Sequence, residues 1–148
     1  MELADILIVD DEPQVIKLIN RELDGFCYQI ASAVNGIEAL NLASETQFKV
    51  VISDIKMNKM DGFELLDRVH ELNPMTTRII LSGHSDVKLI LKLVNKKGID
   101  RYLVKPWEKA DLILAIGKCI ELYDLRSKAD EPNISENSNQ QTFSPVQA

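Results

Sequence analysis

Short, mostly apolar runs alternate along the chain with longer segments whose apolar residues recur at helical spacing. The runs predict strands over residues 6–9, 28–33, 50–53, 78–81 and 101–104. Helices are predicted between them, the first beginning at Pro13 and the last covering 108–125. Strands this short and apolar are typical of a parallel sheet buried on both faces. The pattern therefore predicts an α/β domain of five β-α units.

A set of polar residues follows the predicted strands. Asp10 and Asp11 follow the first strand, Asp54 the third, Ser82 the fourth and Lys105 the fifth. Because the carboxyl ends of parallel strands meet at one edge of a sheet, these side chains are expected to share one site. Clustered carboxylates attract a hard cation such as Mg²⁺, and a lysine and a hydroxyl beside them suit a transferring phosphoryl group. A single aspartate after a strand is more often a helix cap or a turn residue, so only the combination carries this prediction.

Charge and cysteine content narrow the class of protein. With 23 acidic against 17 basic residues the formal net charge is −6, which disfavours binding of nucleic acid through its phosphates. No apolar stretch approaches the roughly 20 residues of a membrane span, and no basic segment precedes an apolar run as in a secretory signal. Cys27 and Cys119 are interpreted as free thiols of a reducing compartment. We therefore expect a cytoplasmic domain without direct nucleic-acid or membrane partners.

The carboxyl-terminal part of the chain differs in composition from the rest. Residues 127–148 are rich in Ser, Asn, Gln, Pro and acids and contain few apolar residues. Such a segment does not bury enough apolar surface to offset the entropy of ordering it. The predicted organisation is one domain over 1–126, followed by a flexible tail or truncated linker over 127–148.

Four segments of the chain carry a family resemblance. They are 8–13 (IVDDEP), 53–62 (SDIKMNKMDG), 81–84 (LSGH) and 102–107 (YLVKPW). Together and in this order they resemble the receiver domain of response regulators in two-component signalling, from residue 3 to about residue 124. The resemblance implies a flavodoxin-like, doubly wound fold, with a five-stranded parallel sheet in the order 2-1-3-4-5 and helices on both faces. It also implies that a sensor histidine kinase or a phosphotransfer protein passes a phosphoryl group to one aspartate.

The resemblance assigns roles to the acidic residues of the predicted site. Asp54 would accept the phosphoryl group. Asp11 would bind Mg²⁺ directly, and Asp10 would act mainly through a bound water. Asp54 and the backbone carbonyl of Lys56 would complete the protein's share of the metal shell.

The resemblance also implies a switch. Lys105 would pair with the phosphoryl oxygens, while Ser82 would hydrogen-bond one of them and move inward on phosphorylation, with Tyr102 turning inward beside it. The surface of the fourth helix, fifth strand and fifth helix would then control an output domain, an effector protein or a phosphorylation-dependent homodimer. On that surface, helical spacing predicts that Leu89 and Leu93 are exposed. The core stripe of the fourth helix is predicted to consist of Val87, Ile90, Leu91 and Val94.

Two local features depart from the usual family pattern. Asn58 and Lys59 stand where the family usually has proline and glycine. The stretch from Ser82 to Tyr102 is one residue longer than in the single-domain chemotaxis regulator. That spacing resembles receivers joined to HD-GYP cyclic-di-GMP phosphodiesterases.

Two other functions are alternatives to a phosphorylation switch. A Mg²⁺-dependent phosphohydrolase would use Asp54 as nucleophile through an aspartyl phosphate. Such enzymes, resembling the haloacid dehalogenase family, place a second acid two residues later, where this chain has Lys56. A nucleotide- or flavin-binding module would place a phosphate-binding loop after the first strand, where Asp10, Asp11 and Glu12 would repel a phosphate. We expect a phosphoacceptor with at most slow self-dephosphorylation rather than an enzyme.

Overall fold

The computed structural model describes residues 1–130, except for the side chains of Val94 and Lys97. Strands and helices alternate along this part of the chain. The strands are β1 (Glu2–Val9), β2 (Ile30–Ala33), β3 (Thr46–Asp54), β4 (Thr77–Ser82) and β5 (Arg101–Val104). The helices are α1 (Pro13–Glu22), α2 (Gly36–Glu45), α3 (Gly62–Leu72), α4 (Val87–Lys97) and α5 (Lys109–Asp130). A short 3₁₀ turn, His84–Asp86, precedes α4.

The strands form one parallel sheet in the order β2-β1-β3-β4-β5. This confirms the predicted flavodoxin-like fold and its strand order. The strands β1 and β3 begin before the predicted apolar runs, because Glu2 pairs with Thr46 and extends the ladder at the edge where strands begin. Hydrophobicity alone does not detect these partly exposed first residues.

Alternate residues of the strands point to opposite faces of the sheet and build two cores. Leu7 and Val9 share one core with residues of α2, α3 and α4. Ile6 and Ile8 share the other core with residues of α1 and α5. A single apolar run therefore serves both layers, which explains why these strands lack a polar alternation.

Three helices begin at local sequence signals. Pro13 is the first residue of α1, as predicted, where its missing N–H costs no helical hydrogen bond. The side chains of Asn35 and Asp61 accept hydrogen bonds from the N–H groups of Glu38 and Glu64, and so cap α2 and α3. These caps start both helices close to the edge at which the preceding strands end.

Helix α4 buries different leucines from those predicted. Ile90 is fully buried and Leu93 packs against the same core, whereas Leu89 is 46% exposed and Leu91 is 54% exposed. The assignments of Leu91 to the core and of Leu93 to the exposed side are therefore wrong. Successive helical residues are about 100° apart, so a helix turned to bury Ile90 and Leu93 moves Leu91 away from the core. The predicted core position of Val94 lies outside the described side chains.

Helix α5 continues to Asp130, past the predicted domain end at 126. Lys49 in β3 pairs with Asp124 at 3.0 Å, and Arg126 donates to Oδ1 of Asp100 at 2.7 Å, which holds the last turns against the sheet. The remainder of the predicted tail, residues 131–148, lies outside the described residues. Even with α5 at 22 residues, no helix within residues 1–130 is long and apolar enough to cross a membrane.

A buried arginine joins helices to the edge where the strands begin. Arg78, the second residue of β4, is only 5% exposed. Its guanidinium donates to the carbonyl oxygens of Leu66 in α3, at 3.4 Å, and of Gly98 after α4, at 2.8 Å. Its backbone N–H donates to Oδ2 of Asp100 at 2.8 Å. The negative charges of Asp100 and Asp67 stabilise the guanidinium against the cost of burial.

Replacing Arg78 by methionine should lower the free energy of unfolding by about 3 kcal/mol, because the change leaves the carbonyl oxygens of Leu66 and Gly98 without their donor and removes a buried positive charge that interacts with Asp100 and Asp67. Urea unfolding at pH 7, followed by circular dichroism, measures this loss. Arg21→Met, at an exposed position, is the matched control and should change the free energy of unfolding by less than about 0.5 kcal/mol. Equal unfolding midpoints for the two variants would contradict the structural role of Arg78.

Candidate functional site

The polar residues that follow four of the strands lie at one edge of the sheet. Val9 pairs with Ser53, which places Asp10 beside Asp54 at the ends of β1 and β3. Asp54 in turn pairs with Leu81, the residue before Ser82. Because Ser82 pairs with Val104, Lys105 comes directly after the same level of β5. The register therefore brings the predicted acids, hydroxyl and lysine to one edge.

Three aspartates form a cluster that could hold a metal ion. One carboxylate oxygen from each of Asp10, Asp11 and Asp54 lies within 4.8 Å of the others. Asp10 is fully buried, Asp54 is partly buried and Asp11 is exposed, so the cluster opens to solvent on the side of Asp11. A set of oxygen donors alone fits Mg²⁺ or another hard cation better than zinc.

Lys105 lies between two of these carboxylates. Its Nζ is 3.2 Å from Oδ2 of Asp10 and 3.3 Å from Oδ1 of Asp54. Burial lowers the pKa of Lys105, but the negative charges of Asp10 and Asp54 together raise it by more, so the net shift is upward. A hydrogen bond of 2.7 Å from the N–H of Lys105 to the carbonyl of Ser82 fixes the backbone at this point. The protein thus holds a permanent positive charge at the acidic cluster.

The ionised forms of the Asp10 and Asp54 carboxyl groups are electrostatically unfavourable in this cluster. Burial raises the pKa of Asp54, the charge of Asp10 raises it further, and Lys105 opposes both effects. Burial also raises the pKa of Asp10, although the N–H of Glu12, which donates to Oδ1 at 2.9 Å, and Lys105 lower it. Because the net shift of both pKa values is upward, additional positive charge would stabilise the ionised site.

Ser82 ends β4 with a buried and unsatisfied hydroxyl. The residue is 1% exposed, and its Oγ has no hydrogen-bond partner among residues 1–130. Buried hydroxyl groups in folded proteins are nearly always paired. A group that approached this edge with a free acceptor oxygen would satisfy it.

The loop after Asp54 folds back tightly onto its own strand. The N–H of Gly62 donates to the carbonyl of Ile55 at 2.8 Å, and a Cβ at Gly62 would overlap the carbonyl oxygen of Asp54. The side chain of Met60 is buried, while Lys59 adopts a positive φ of 73°. This loop therefore keeps a compact path although it lacks the usual proline and glycine.

Lys56 and Tyr102 lie at the margins of the site. The side chain of Lys56 is 75% exposed, and its Nζ is 3.5 Å from Oδ1 of Asp86, in the turn before α4. Tyr102 lies on β5 and is 38% exposed. The roles predicted for the Lys56 carbonyl and the Tyr102 ring stay predictions.

The structural roles of two residues at this edge were not predicted from the sequence. Gly62 belongs to the 53–62 segment that carries the family resemblance, but the sequence alone does not show that the backbone of Asp54 passes too close to it for any side chain. Asp86 connects the turn after Ser82 with the loop after Asp54 through Lys56. Only its position four residues after Ser82 could have suggested this contact.

Comparison with protein families finds one model that covers most of the described chain. The response regulator receiver domain model matches residues 6–117. The transcriptional regulatory protein ZraR of Klebsiella oxytoca is 33% identical over 119 residues, which are 80% of this chain and 27% of that protein. The chain spans about a quarter of the length of the curated relatives it matches.

Solved structures of receiver domains are similar in both fold and sequence. The signal receiver domain of an HD domain-containing protein from Pseudomonas fluorescens Pf-5 is 34% identical, with a TM-score of 0.79 over 86% of this chain and 94% of that one. A response regulator receiver domain protein from Clostridium thermocellum is 33% identical, with a TM-score of 0.77 over 83% of this chain and 98% of that one.

Asp54→Asn should stabilise the protein at pH 7 in a chelator, by about 1 kcal/mol, because it removes a buried charge that Asp10 repels. Since the folded-state pKa lies above 3.8, the folded protein binds more protons than the unfolded chain above that pH. The contribution of Asp54 to the free energy of unfolding of the wild type therefore falls as pH rises through the window between 3.8 and the raised pKa.

The advantage of Asp54→Asn should accordingly shrink as pH is lowered to 3.8 and below, because the wild-type carboxyl then becomes protonated in both the folded and the unfolded state. Thermal unfolding between pH 4 and pH 8 measures it. Asp24→Asn is the matched control, because it removes a carboxylate at an exposed position outside the site. A variant less stable than the wild type at pH 7 would contradict the electrostatic interpretation of the site.

Proposed function

We propose a function for this chain on the premise that it belongs to the response regulator receiver domain family, whose model matches residues 6–117. Receiver domains of response regulators act in phosphorelay signalling. The proposed function is to accept a phosphoryl group on Asp54, in the presence of Mg²⁺, from a sensor histidine kinase or a phosphotransfer protein. Phosphorylation would then switch the surface formed by α4, β5 and α5, which is called the output surface below.

The observation that carries this proposal is the grouping of Asp54 with two other aspartates and Lys105. An oxygen of Asp54 would attack the phosphorus of a phosphohistidine, so that an O–P bond forms as the N–P bond breaks and the imidazole takes up a proton. Bound Mg²⁺ would supply positive charge close to the phosphoryl oxygens. The ammonium of Lys105, already 3.3 Å from Asp54, would pair with one of those oxygens.

The hydrogen bonds of the aspartates support different roles for Asp10 and Asp11. Both oxygens of Asp10 are engaged, one by the N–H of Glu12 and the other by Lys105. Asp10 would therefore act through a metal-bound water, while the exposed carboxylate of Asp11 would bind the ion directly. Asp54 and the carbonyl of Lys56 would be the remaining protein ligands.

Ser82 and Tyr102 would couple the phosphoryl group to the output surface. The unsatisfied Oγ of Ser82 would donate to a phosphoryl oxygen and draw the end of β4 inward. Because the turn His84–Asp86 leads directly into α4, this movement would displace the start of that helix. Tyr102 pairs with Ile80 across β4 and β5, and its exposed ring would turn into the space that Ser82 leaves.

The curated relatives are longer than the region they share with this chain, so the output surface could control one of several targets. ZraR of Klebsiella oxytoca is called a transcriptional regulatory protein, and the matched region is 27% of it. An output domain following α5 in a longer protein, a separate effector, and a phosphorylation-dependent homodimer would all use the same surface.

The neighbourhood of Asp54 supports a phosphoacceptor over a phosphohydrolase. The position two residues after the nucleophile holds Lys56, whose ammonium pairs with Asp86, so no carboxyl group stands there to act as the general acid of such a phosphohydrolase. We therefore propose at most slow self-dephosphorylation.

Treatment with a small phosphodonor and Mg²⁺ should add one phosphoryl group to the wild type and none to Asp54→Asn, as read by intact mass. Asp24→Asn keeps the nucleophile and should gain the same mass as the wild type. A stable gain on Asp54→Asn equal to that of the wild type would contradict the assignment of Asp54.

The metal is tested in the same reaction. A chelator should abolish the mass gain, and Asp11→Asn should slow it more than Asp10→Asn does. Millimolar Mg²⁺ should also raise the melting temperature of the wild type, since the ion binds only the folded site.

The paired change Leu89→Ser with Leu91→Ser should leave phosphorylation of Asp54 intact but weaken association of the activated protein. Both leucines are about half exposed on α4, whereas Leu93 contributes to the core and is left unchanged. Sedimentation with and without beryllofluoride, which mimics the phosphoryl group, measures self-association. Leu3→Ser with Leu72→Ser, equally exposed on other elements, is the matched control. If the α4 pair and the control pair associate equally when activated, the homodimer does not use this surface.

A further inference from the structure

Helix α4 carries a charge that differs from that of the rest of the protein. Its eleven residues include four lysines and no acid, whereas each of the other four α-helices contains at least one acid. The whole chain has 23 acids against 17 bases, so the residues outside α4 have 23 acids against only 13 bases. A basic helix thus stands on an otherwise strongly acidic protein.

Three of these lysines form a ridge along the exposed side of α4. Lys88, Lys92 and Lys96 follow one another at intervals of four residues and are all exposed. The rise between successive lysines is about 6 Å. Leu89 and Leu91, which are about half exposed, flank the ridge on opposite sides. The outer side of α4 therefore combines regularly spaced cations with apolar surface.

Contacts within the protein do not explain this ridge. Among residues 1–130, no carboxylate lies within 4.0 Å of the ammonium groups of Lys88, Lys92 and Lys96. Like charges four residues apart destabilise a helix, and Lys88 at the amino end also opposes the helix dipole. By contrast, α3 places Glu64 opposite Arg68 at the same spacing. The ridge costs stability in the isolated domain and gains nothing there.

We infer that this side of α4 binds an acidic, leucine-containing helical segment of a partner protein. Carboxylates at intervals of four residues on such a helix would repeat every 6 Å, or about the spacing of the lysines, and a neighbouring leucine would cover Leu89 or Leu91. The partner would remove the repulsion between the lysines and bury apolar surface at the same time. This inference names the partner class for the proposed output surface and rests on that function for its biological meaning.

Two other polyanions fit this surface less well. Nucleic acid extends well beyond one short helix, and the acidic remainder of the protein would repel its phosphates. A membrane-binding helix needs a continuous apolar face towards the lipid, but the continuous apolar face of α4, with Ile90 and Leu93, packs against the sheet. A short acidic protein segment needs only the local charge of the ridge.

The probe is a fluorescently labelled helical peptide with glutamates at positions i, i+4 and i+8 and leucines beside them. A control peptide of the same length has lysines in place of the glutamates. Anisotropy titrations with the full chain, before and after phosphodonor treatment, should show binding of the acidic peptide in at least one form. K88E/K92E/K96E should weaken that binding at least about tenfold, and raising NaCl from about 50 to 300 mM should weaken it in the wild type by a similar factor.

The matched control is K17E/R21E/K128E, which changes the net charge equally at exposed positions outside α4. It should weaken binding less than about twofold. The milder K88Q/K92Q/K96Q removes the ridge without new charges and should also lose binding, and its melting temperature reports whether the fold is intact.

Three results would overturn the inference. The first is that the acidic and basic peptides bind equally tightly, or that neither binds. The second is that the ridge variant and the control variant lose the same amount of binding. The third is that phosphatidylglycerol vesicles or duplex DNA bind as tightly as the acidic peptide at the same salt concentration. Intact mass measured on the same samples separates this inference from the proposed function. If no sample gains a phosphoryl group, the proposed function fails, while the peptide titrations still decide the partner class.

Discussion

The repulsion among the carboxylates of Asp10, Asp11 and Asp54 is the constraint on which the functional edge of this protein depends. One carboxylate oxygen from each of these three acids lies within 4.8 Å of the others, so their charges repel one another. They are held because Asp10 and Asp54 directly continue or end buried central strands whose register is fixed by two cores. Lys105, which follows a third strand, β5, offsets part of this repulsion with its positive charge. The free energy of folding therefore opposes the repulsion among the carboxylates and keeps them in place to bind a cation next to an incoming anionic group.

Much of this arrangement can be predicted from the sequence, because the apolar runs that predict the strands also determine where the site residues lie. Uninterrupted apolar runs predict a parallel sheet, and a parallel sheet brings the residues after each run to one edge. The grouping of Asp54 with Lys105 could therefore be predicted without any structure. The predicted roles of Asp11, Ser82 and Tyr102 depend on phosphorylation and metal binding, which chain geometry does not test.

Other features could not be predicted, because they depend on how elements are turned or how closely they approach. The exchange of Leu91 and Leu93 reflects a rotation of α4 about its axis, and both leucines suit either side of an amphipathic helix. The need for glycine at position 62 arises because the carbonyl oxygen of Asp54 lies too close in space for any Cβ, and the sequence pattern does not encode that approach. The burial of Arg78 contradicts the usual exposure of arginine and requires the carbonyls of Leu66 in α3 and of Gly98, which follows α4.

The contact between Arg126 and Asp100 gives α5 a mechanical property. At 22 residues the helix is about 33 Å long, and Asp100 grips it near its far end, next to the segment that ends α4. A rotation of α5 by about 5° around its first turn would displace Asp130 by about 3 Å, as the length of the helix dictates. The pairs Arg126–Asp100 and Lys49–Asp124 would oppose such a rotation, because they connect the last turns of α5 to the residue before β5 and to β3. A displacement of Asp130 would have to stretch these two ion pairs.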